Sequence, residues 1–397
     1  MTRRVKRDAF LQIWEQARRI DPSLRVSQRD LPVLRRRQLR AVPFSRELLF
    51  SRMATGEPIL FSNLPVAVRG ERELGAEQAV LHALRNGFPS DYKFQVRCGP
   101  SDSRKSVILD ELLRRWNGNR AQVSVTDLHI RGTKVTKHID CAHLSDFNLL
   151  AEARGEVGEQ EMLTMVVSSK GTFTDSHSDD PDGSNHCFVG KKLWLVWDTF
   201  SGLAQNLDDC ERCEEIDERA AFSIPRFLAV PRSRWFVVEE GQTLFLPGHL
   251  THKVVTLESY LGIGSFFVML PSYMRTLSRW TRHTPLWALN EPHDRRLKLV
   301  DRITRRVIDK AHLLATASAA ERRRWGLTHL QSTVSDWLRS SSAEERRAVL
   351  SNDVSARFLK SVLDIGSTGP YGASRVRPRR QQGIGRSGRG GSEARPG

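Results

Sequence analysis

The sequence predicts an α+β fold in which a barrel or double-sheet jelly roll of short strands lies between a basic helical N-terminal region and a C-terminal helical domain. Three observations lead there. Between residues 57 and 270, short apolar runs rich in β-branched and aromatic side chains are separated by turn residues. After Pro285 the pattern changes to Arg/Leu/Ala-rich helical periodicity. The length of 397 residues, 39% of them hydrophobic, suffices for one large domain or two to three smaller ones.

Taken in order, residues 1–56 form a basic helical region, with Phe10, Ile13, Trp14 and Ala17 at amphipathic spacing before the turn-prone Asp21-Pro22. The globular body is expected over 57–270, beginning at the strand-like Glu57-Pro58-Ile59-Leu60-Phe61. Val107 to Trp116 has the pattern of a helix. Thr126 to Ile130 and Leu163 to Val167 have that of strands. Stronger strand character marks Leu193-Trp194-Leu195-Val196-Trp197, and Leu244-Phe245-Leu246 ahead of a Pro-Gly turn. A helical domain is expected over 271–365, from Leu297, Val300, Ile303 and Val307, then Trp325 to Leu330 and Val334 to Leu338. Residues 366–397 are Gly/Arg/Ser-rich, with Gly388-Arg389-Gly390-Gly391 among them, and are expected to be a disordered basic tail.

The net charge of +16 is unevenly placed: +8 over 1–50, −10 over 151–220 and +14 over 271–397. Basic ends around an acidic centre suit a protein that approaches a polyanion, DNA or RNA, while offering its middle to a cationic substrate; solvated helix faces and a tail account for the same charges. The apolar run from Tyr260 to Leu270 is far shorter than the roughly 20 residues of a membrane helix. Met1-Thr2-Arg3-Arg4-Val5-Lys6-Arg7 has no signal-peptide core, so an intracellular protein without a membrane partner is expected. Five cysteines are few and odd in number, which argues against a disulfide framework. Cys210 and Cys213 form a lone Cys-x-x-Cys pair that suits an exposed acidic loop better than a structural zinc.

Candidate chemistry begins at Thr174-Asp175-Ser176-His177-Ser178-Asp179. His177 and Asp179 are one residue apart, so on a strand both point to one face and can share a metal. A distant histidine would complete two imidazoles and one carboxylate, which cover one face of an octahedral ion and leave the other open. His252, after the Pro247-Gly248 turn, is the first candidate, with His249 and His186 as competitors. Lys192 shares a strand face with Trp194. Inside an apolar barrel it needs an anionic partner, which a dicarboxylate would supply, and the Thr174 hydroxyl could donate to the same carboxylate. Taken alone, each of these residues favours a plainer reading, an exposed Lys191-Lys192 turn and a β-forming threonine.

Taken together, these residues resemble the JmjC family of Fe(II)- and 2-oxoglutarate-dependent oxygenases. The resemblance lies in Gly171 to Asp179, Gly190-Lys191-Lys192-Leu193-Trp194, Gly241-Gln242-Thr243-Leu244-Phe245-Leu246-Pro247 to His252, and the closing Leu261 to Phe267. Upstream, Thr126-Asp127-Leu128 to Thr133 and Ile139-Asp140 are similar to the lead-in of lysine demethylases related to the F-box and PHD-finger enzymes. The likeness covers about 57–270 and is closest from 162 to 266. It implies a double-stranded β-helix of the cupin-like jelly-roll kind, with His177, Asp179 and His252 as Fe(II) ligands and Thr174 and Lys192 on the distal carboxylate of 2-oxoglutarate. It further implies a nuclear enzyme that demethylates methyl-lysine or methyl-arginine in histones or another basic protein, through hydroxylation of the N-methyl group and loss of formaldehyde. Two features depart from that branch: 15 residues separate His177 from Lys192, closer to the JmjC asparaginyl hydroxylases, and His186-Cys187 stands where a tyrosine is usual. The alternatives are a JmjC protein or RNA hydroxylase with a stable product, and an inactive chromatin or nucleic-acid binding module.

Overall fold

Alternating apolar runs bury one or both faces of a strand only if they pair, and here they pair into one antiparallel ten-stranded sheet beside a two-stranded ribbon, with helices from both ends of the chain packed on it. The fold is α+β. The computed structural model describes residues 8–98, 104–118, 122–130, 132–144, 146–150, 163–179, 181–207, 222–281 and 293–368. The strands are β1 (Ile59–Phe61), β2 (Ala67–Val68), β3 (Lys93–Cys98), β4 (Arg104–Ile108), β5 (Val123–His129), β6 (Ile139–Asp140), β7 (Leu163–Ser168), β8 (Phe173–Ser178), β9 (Asp182–Asp198), β10 (Arg234–Glu239), β11 (Thr243–Leu246) and β12 (Leu250–Phe267). The main path runs β1-β11-β9-β12-β7-β5-β3-β4, with β10 on β9 and β8 on β12. It is open at both ends, and no closed barrel forms among the described residues.

Two long strands divide this sheet. The first part of β9 pairs with β11 and with the last part of β12, whereas its second part pairs with β10 and with the first part of β12. β12 likewise has β8 beside its first part and β7 beside its last. The sheet therefore has two halves that share β9 and β12. The change of direction falls at Gly190, whose φ of 90° lies in the left-handed region, while β12 slips register opposite it between Thr256 and Gly262. A Cβ on Gly190 would stand 2.0 Å from the Ser259 carbonyl oxygen.

Alternation along β9 sorts the core. Leu193, Leu195 and Trp197 face an outer cluster with Phe10, Trp14, Phe227 and Trp235, and Trp194 and Val196 face an inner one with Leu60, Val166, Phe236, Leu244 and Leu250. Helix Ala9–Ile20 lays Phe10, Trp14 and Ala17 against that outer face, where Phe10 and Trp14 meet Trp235 edge-on at 5.5 and 5.1 Å. From helix Leu31–Arg37 the chain crosses between the halves, bridging β10 at Gln38–Trp235 and β1 at Val42–Phe61, with Leu39 and Ala41 packed on the inner cluster.

Two expectations shift. The helix anticipated from Val107 starts at Leu109, because Val107 and Ile108 pair with Phe94 and Lys93 in the β3–β4 hairpin. The helices beyond residue 292 exist, but Val300, Ile303, Val307, Val334 and Phe358 share one core with Phe50, Phe245, Ile263 and Phe267, so continuous apolar packing crosses the expected borders at 56/57 and 270/271. The last helix, Asp353–Thr368, extends past 366; the tail from 369 on, Cys210 and Cys213 lie outside the described residues. No described helix is long and apolar enough to cross a membrane.

Gly190→Ala should destabilise the protein by more than about 2 kcal/mol, combining left-handed strain with overlap on Ser259. Urea denaturation of the variant beside wild type measures it; an unchanged midpoint contradicts the corner.

Candidate metal centre

The centre is built by strand register. On β8 and β12, His177 stands directly opposite His252, and their rings lie 4.1 Å apart between centroids. Asp179 follows β8 by one residue and brings Oδ2 to 3.8 Å from His252 Nε2. One donor atom from each of His177, Asp179 and His252 lies within 4.8 Å of the others. Donors on one octahedral ion stand about 3 Å apart, so a small inward movement closes the set on a single cation. The three residues that the sequence singled out as a set are therefore brought together.

Hydrogen bonds decide which nitrogens face the ion. His177 Nδ1 lies 2.8 Å from the Asp175 carbonyl oxygen, and His252 Nδ1 lies 3.1 Å from that of Leu250. A carbonyl only accepts, so each Nδ1 carries the proton and each Nε2 presents its lone pair. Trp194 stacks on His252 at 5.2 Å, and burial together with neighbouring His177 holds the His252 pKa well below its usual value. His252 is thus a neutral imidazole, the form that binds a metal.

Surrounding groups fix these ligands in place. Lys253, on the opposite face of β12, pairs with Asp175 at 2.8 Å and with Asp21 at 3.0 Å, tying the end of the N-terminal helix to the residue whose carbonyl orients His177. The Pro247-Gly248 turn is held on both sides of Gly248. Gly248 N–H donates to buried Asp182 at 2.9 Å, its carbonyl accepts both Arg275 NH groups at 2.9 Å, and Ser272 donates to the other Asp182 oxygen. Nothing in the sequence pattern marked Asp182, Ser272 or Arg275, because each acts through contacts made only after the chain has folded.

The competing histidines do other things. His249 lies at φ 61° and its N–H donates to the Asp179 carbonyl at 2.8 Å, so its backbone braces a ligand while its side chain stays outside the donor set. His186 points to the far side of β9, where it bonds Thr243 Oγ1 at 2.8 Å and packs on Phe188; burial pushes its pKa down to about 4.

Thr174 is three residues from His177, an odd spacing that on a regular strand would place it on the other face. A bulge corrects this: His177 and Thr174 oppose His252 and Val254, which are only two apart, so both lie on the inner face. Lys192 joins that face four residues from Val196, the β9 partner of His252, or roughly 13 Å along the strand. It is 4% exposed, donates to Ser168 Oγ at 3.1 Å and lies 4.7 Å above the Tyr260 ring. No carboxylate among the described residues pairs with it, and burial lowers its pKa to about 7. Lys191 instead turns outward to Glu239 and Glu258, at 3.1 and 3.6 Å. Ser168 and Tyr260 escaped the sequence reading, since a serine and a tyrosine inside strands carry no signal of their own.

Comparison of the sequence with protein-family models and with curated proteins found no match. What the centre can do follows from its geometry: two imidazoles and a carboxylate can hold one metal ion on a single face, with the buried Lys192 further along the same wall.

His177→Ala, Asp179→Ala and His252→Ala should each weaken Mn(II) binding by at least about 100-fold, since losing a direct ligand exceeds the 10- to 100-fold loss typical of an outer-shell partner. Calorimetric titration, with thermal melts of the metal-free variants to verify folding, checks this. Wild-type affinity in any of the three contradicts the ligand set.

Proposed function

We propose that the chain is a dioxygenase of the JmjC type, dependent on Fe(II) and 2-oxoglutarate, whose two half-sheets form that family's double-stranded β-helix. One observation carries the reading: His177, Asp179 and His252 converge on the same inner face that holds Lys192, a buried ammonium with no carboxylate partner among the described residues. A metal triad alone fits many chemistries. A triad with an anion site on one wall fits a 2-oxo diacid that spans both.

The residues fit that pair of ligands. Two imidazoles and one carboxylate suit Fe(II) and leave open positions. Lys192 would give the distal carboxylate a charge-assisted hydrogen bond, with Thr174 as second donor, and the ion pair would relieve the cost of burying the lysine. Trp194, Val254 and Leu250 wall the space with apolar surface and keep bulk water from it. With both ligands bound, the iron supplies oxidative decarboxylation of 2-oxoglutarate to succinate and insertion of one oxygen atom into a substrate C–H bond.

The resemblance implies a substrate C–H on an N-methyl group of lysine or arginine in a histone or other basic protein, and an enzyme of the nucleus. The acidic 151–220 segment supports a cationic substrate; its residues 151–162, 180 and 208–220 lie outside the described ones. Stable hydroxylation of protein or RNA uses the same centre, and product mass separates the two: a methyl group lost as formaldehyde, or one oxygen gained.

Succinate formation tests the shared core of both readings. Lys192→Ala should raise the KM for 2-oxoglutarate by roughly 10- to 100-fold, the equivalent of about 1.5–3 kcal/mol for a charged hydrogen bond, while Lys191→Ala leaves it near wild type. The sign with pH follows from the depressed Lys192 pKa of about 7 in the free site. Below it the ammonium is present and KM is flat; above it the proton is lost and KM climbs about tenfold per pH unit. Lys192→Arg should flatten that rise. Equal effects at Lys191 and Lys192, or a flat wild-type profile, contradict the anion site.

A further inference from the structure

Beside the metal centre lies a cavity of about 720 Å³ whose lining includes Val196 and Leu250. The metal ligands themselves do not line it, but its position relative to them is fixed by register. His177, His252, Val196 and Arg234 form one row across β8, β12, β9 and β10, and directly opposed residues point to the same face. Leu250 precedes His252 by two residues on that face. The cavity therefore lies against the wall of the centre, lined also by Arg36 of helix Leu31–Arg37 and by Arg40 of the segment that crosses after it.

Its charge is one-sided. Seven arginines line it against two carboxylates. Both carboxylates are already matched: Glu57 pairs with Arg52, and Asp198 with Arg279 at 3.0 Å. Arg275 is committed to the Gly248 carbonyl. Arg36, Arg40, Arg232 and Arg234 have no carboxylate partner among the described residues. Behind them, Arg37 is held below its usual pKa by burial and then by the repulsion of Arg234 and Arg36. Guanidinium groups crowded this way raise the free energy of the empty protein, and a ligand that supplies several anions relieves it. A methylated basic peptide would enter the same field against repulsion.

We propose that the substrate of this centre is a single-stranded polynucleotide, with phosphates held by Arg36, Arg40, Arg232 and Arg234 and one nucleoside presented to His177, Asp179 and His252. The assignment rests on the oxygenase reading above and names its substrate class. Arginines from two separate parts of the chain, Arg36 and Arg40 about the end of helix Leu31–Arg37 and Arg232 and Arg234 about the start of β10, suit successive phosphates of a strand better than one isolated phosphate. A single strand leaves its bases unpaired, so one nucleoside can be turned out of the stack at low cost, as chemistry on it requires. The flanking charge, +8 over 1–50 and +14 over 271–397, extends the same attraction along a longer chain. The reaction balances as hydroxylation: one atom of O₂ enters a nucleoside C–H bond, the other enters succinate, and carbon dioxide leaves.

The full-length protein is titrated with labelled single-stranded RNA and DNA oligonucleotides over a salt series, beside the triple variant Arg36→Ala/Arg40→Ala/Arg232→Ala and its Arg→Lys counterpart. Wild type should bind one or both. The alanine variant should bind at least about tenfold more weakly at low salt, with a log–log salt slope shallower by about 2, from roughly 0.7 per lost phosphate contact. The lysine variant, which keeps the charge, should retain most of the slope and so excludes misfolding as the cause. The same oligonucleotide should stimulate succinate formation by wild type more than by the alanine variant, and RNA against DNA tells which strand is used. Unchanged affinity and slope in the alanine variant would place nucleic-acid binding on the basic ends and overturn the cavity assignment alone. So would succinate formation stimulated by a methylated histone peptide but by neither oligonucleotide. Failure of wild type to bind Mn(II) or 2-oxoglutarate at all would overturn the oxygenase reading and the substrate assignment with it.

Discussion

Two imidazoles four ångströms apart on adjacent strands, each with Nδ1 committed to its own backbone, leave two lone pairs and a carboxylate aimed at one another across a small gap. Such an arrangement is costly in an empty protein, because lone pairs and a carboxylate repel and the surrounding apolar wall screens little. Much of the fold holds it in place. The β8–β12 register sets the two histidines opposite each other, the Asp182–Arg275 clamp fixes the turn before His252, and Lys253 pairs with the carboxylate of Asp175, whose carbonyl orients His177. A cation resolves the conflict in one step.

The N-terminal region belongs to this support. Asp21 reaches Lys253, Gln16 donates to the Leu257 carbonyl at 2.6 Å, and Trp235 donates to that of Leu34 at 2.6 Å. Residues 9–37 thus back the outer face of the strands whose inner face carries His177 and His252. The segment after them spans from β10 to β1 and roofs the inner cluster with Leu39 and Ala41. This part of the chain, expected from its sequence to be a basic helical region, supplies both bracing for the centre and part of the lining of the cavity beside it.

Much of the centre was legible because its signals are local. A His-x-Asp pair needs only a strand to share a face, and a Pro-Gly turn announces where a strand returns with a third ligand. Lys192 and Trp194 were legible for the same reason, through period-two alternation. What stayed hidden depends on pairing. The bulge that turns Thr174 to the ligand face, the Ser168 hydroxyl that receives Lys192, and the row that sets Arg234 beside His252 are all properties of register between distant strands. Helix Leu109–Trp116 shows the converse, as hairpin pairing took Val107 and Ile108 from a stretch with helical periodicity. Charge summed along the chain pointed to a cationic substrate, whereas charge placed in space around the cavity favours an anionic one, because seven arginines far apart in sequence meet there.

The central claim is that one wall holds both an open-faced metal and the 2-oxo diacid that chelates it. Anaerobic titration of the Fe(II)-loaded protein with 2-oxoglutarate, followed in the visible range, tests it most directly, since a 2-oxo acid chelated to Fe(II) gives a charge-transfer band that neither component gives alone. The account predicts a saturable band at one equivalent in wild type. In Lys192→Ala the midpoint should shift to higher concentration, and in His177→Ala the band should be absent. A wild-type protein that binds Fe(II) yet develops no band at saturating 2-oxoglutarate would contradict it.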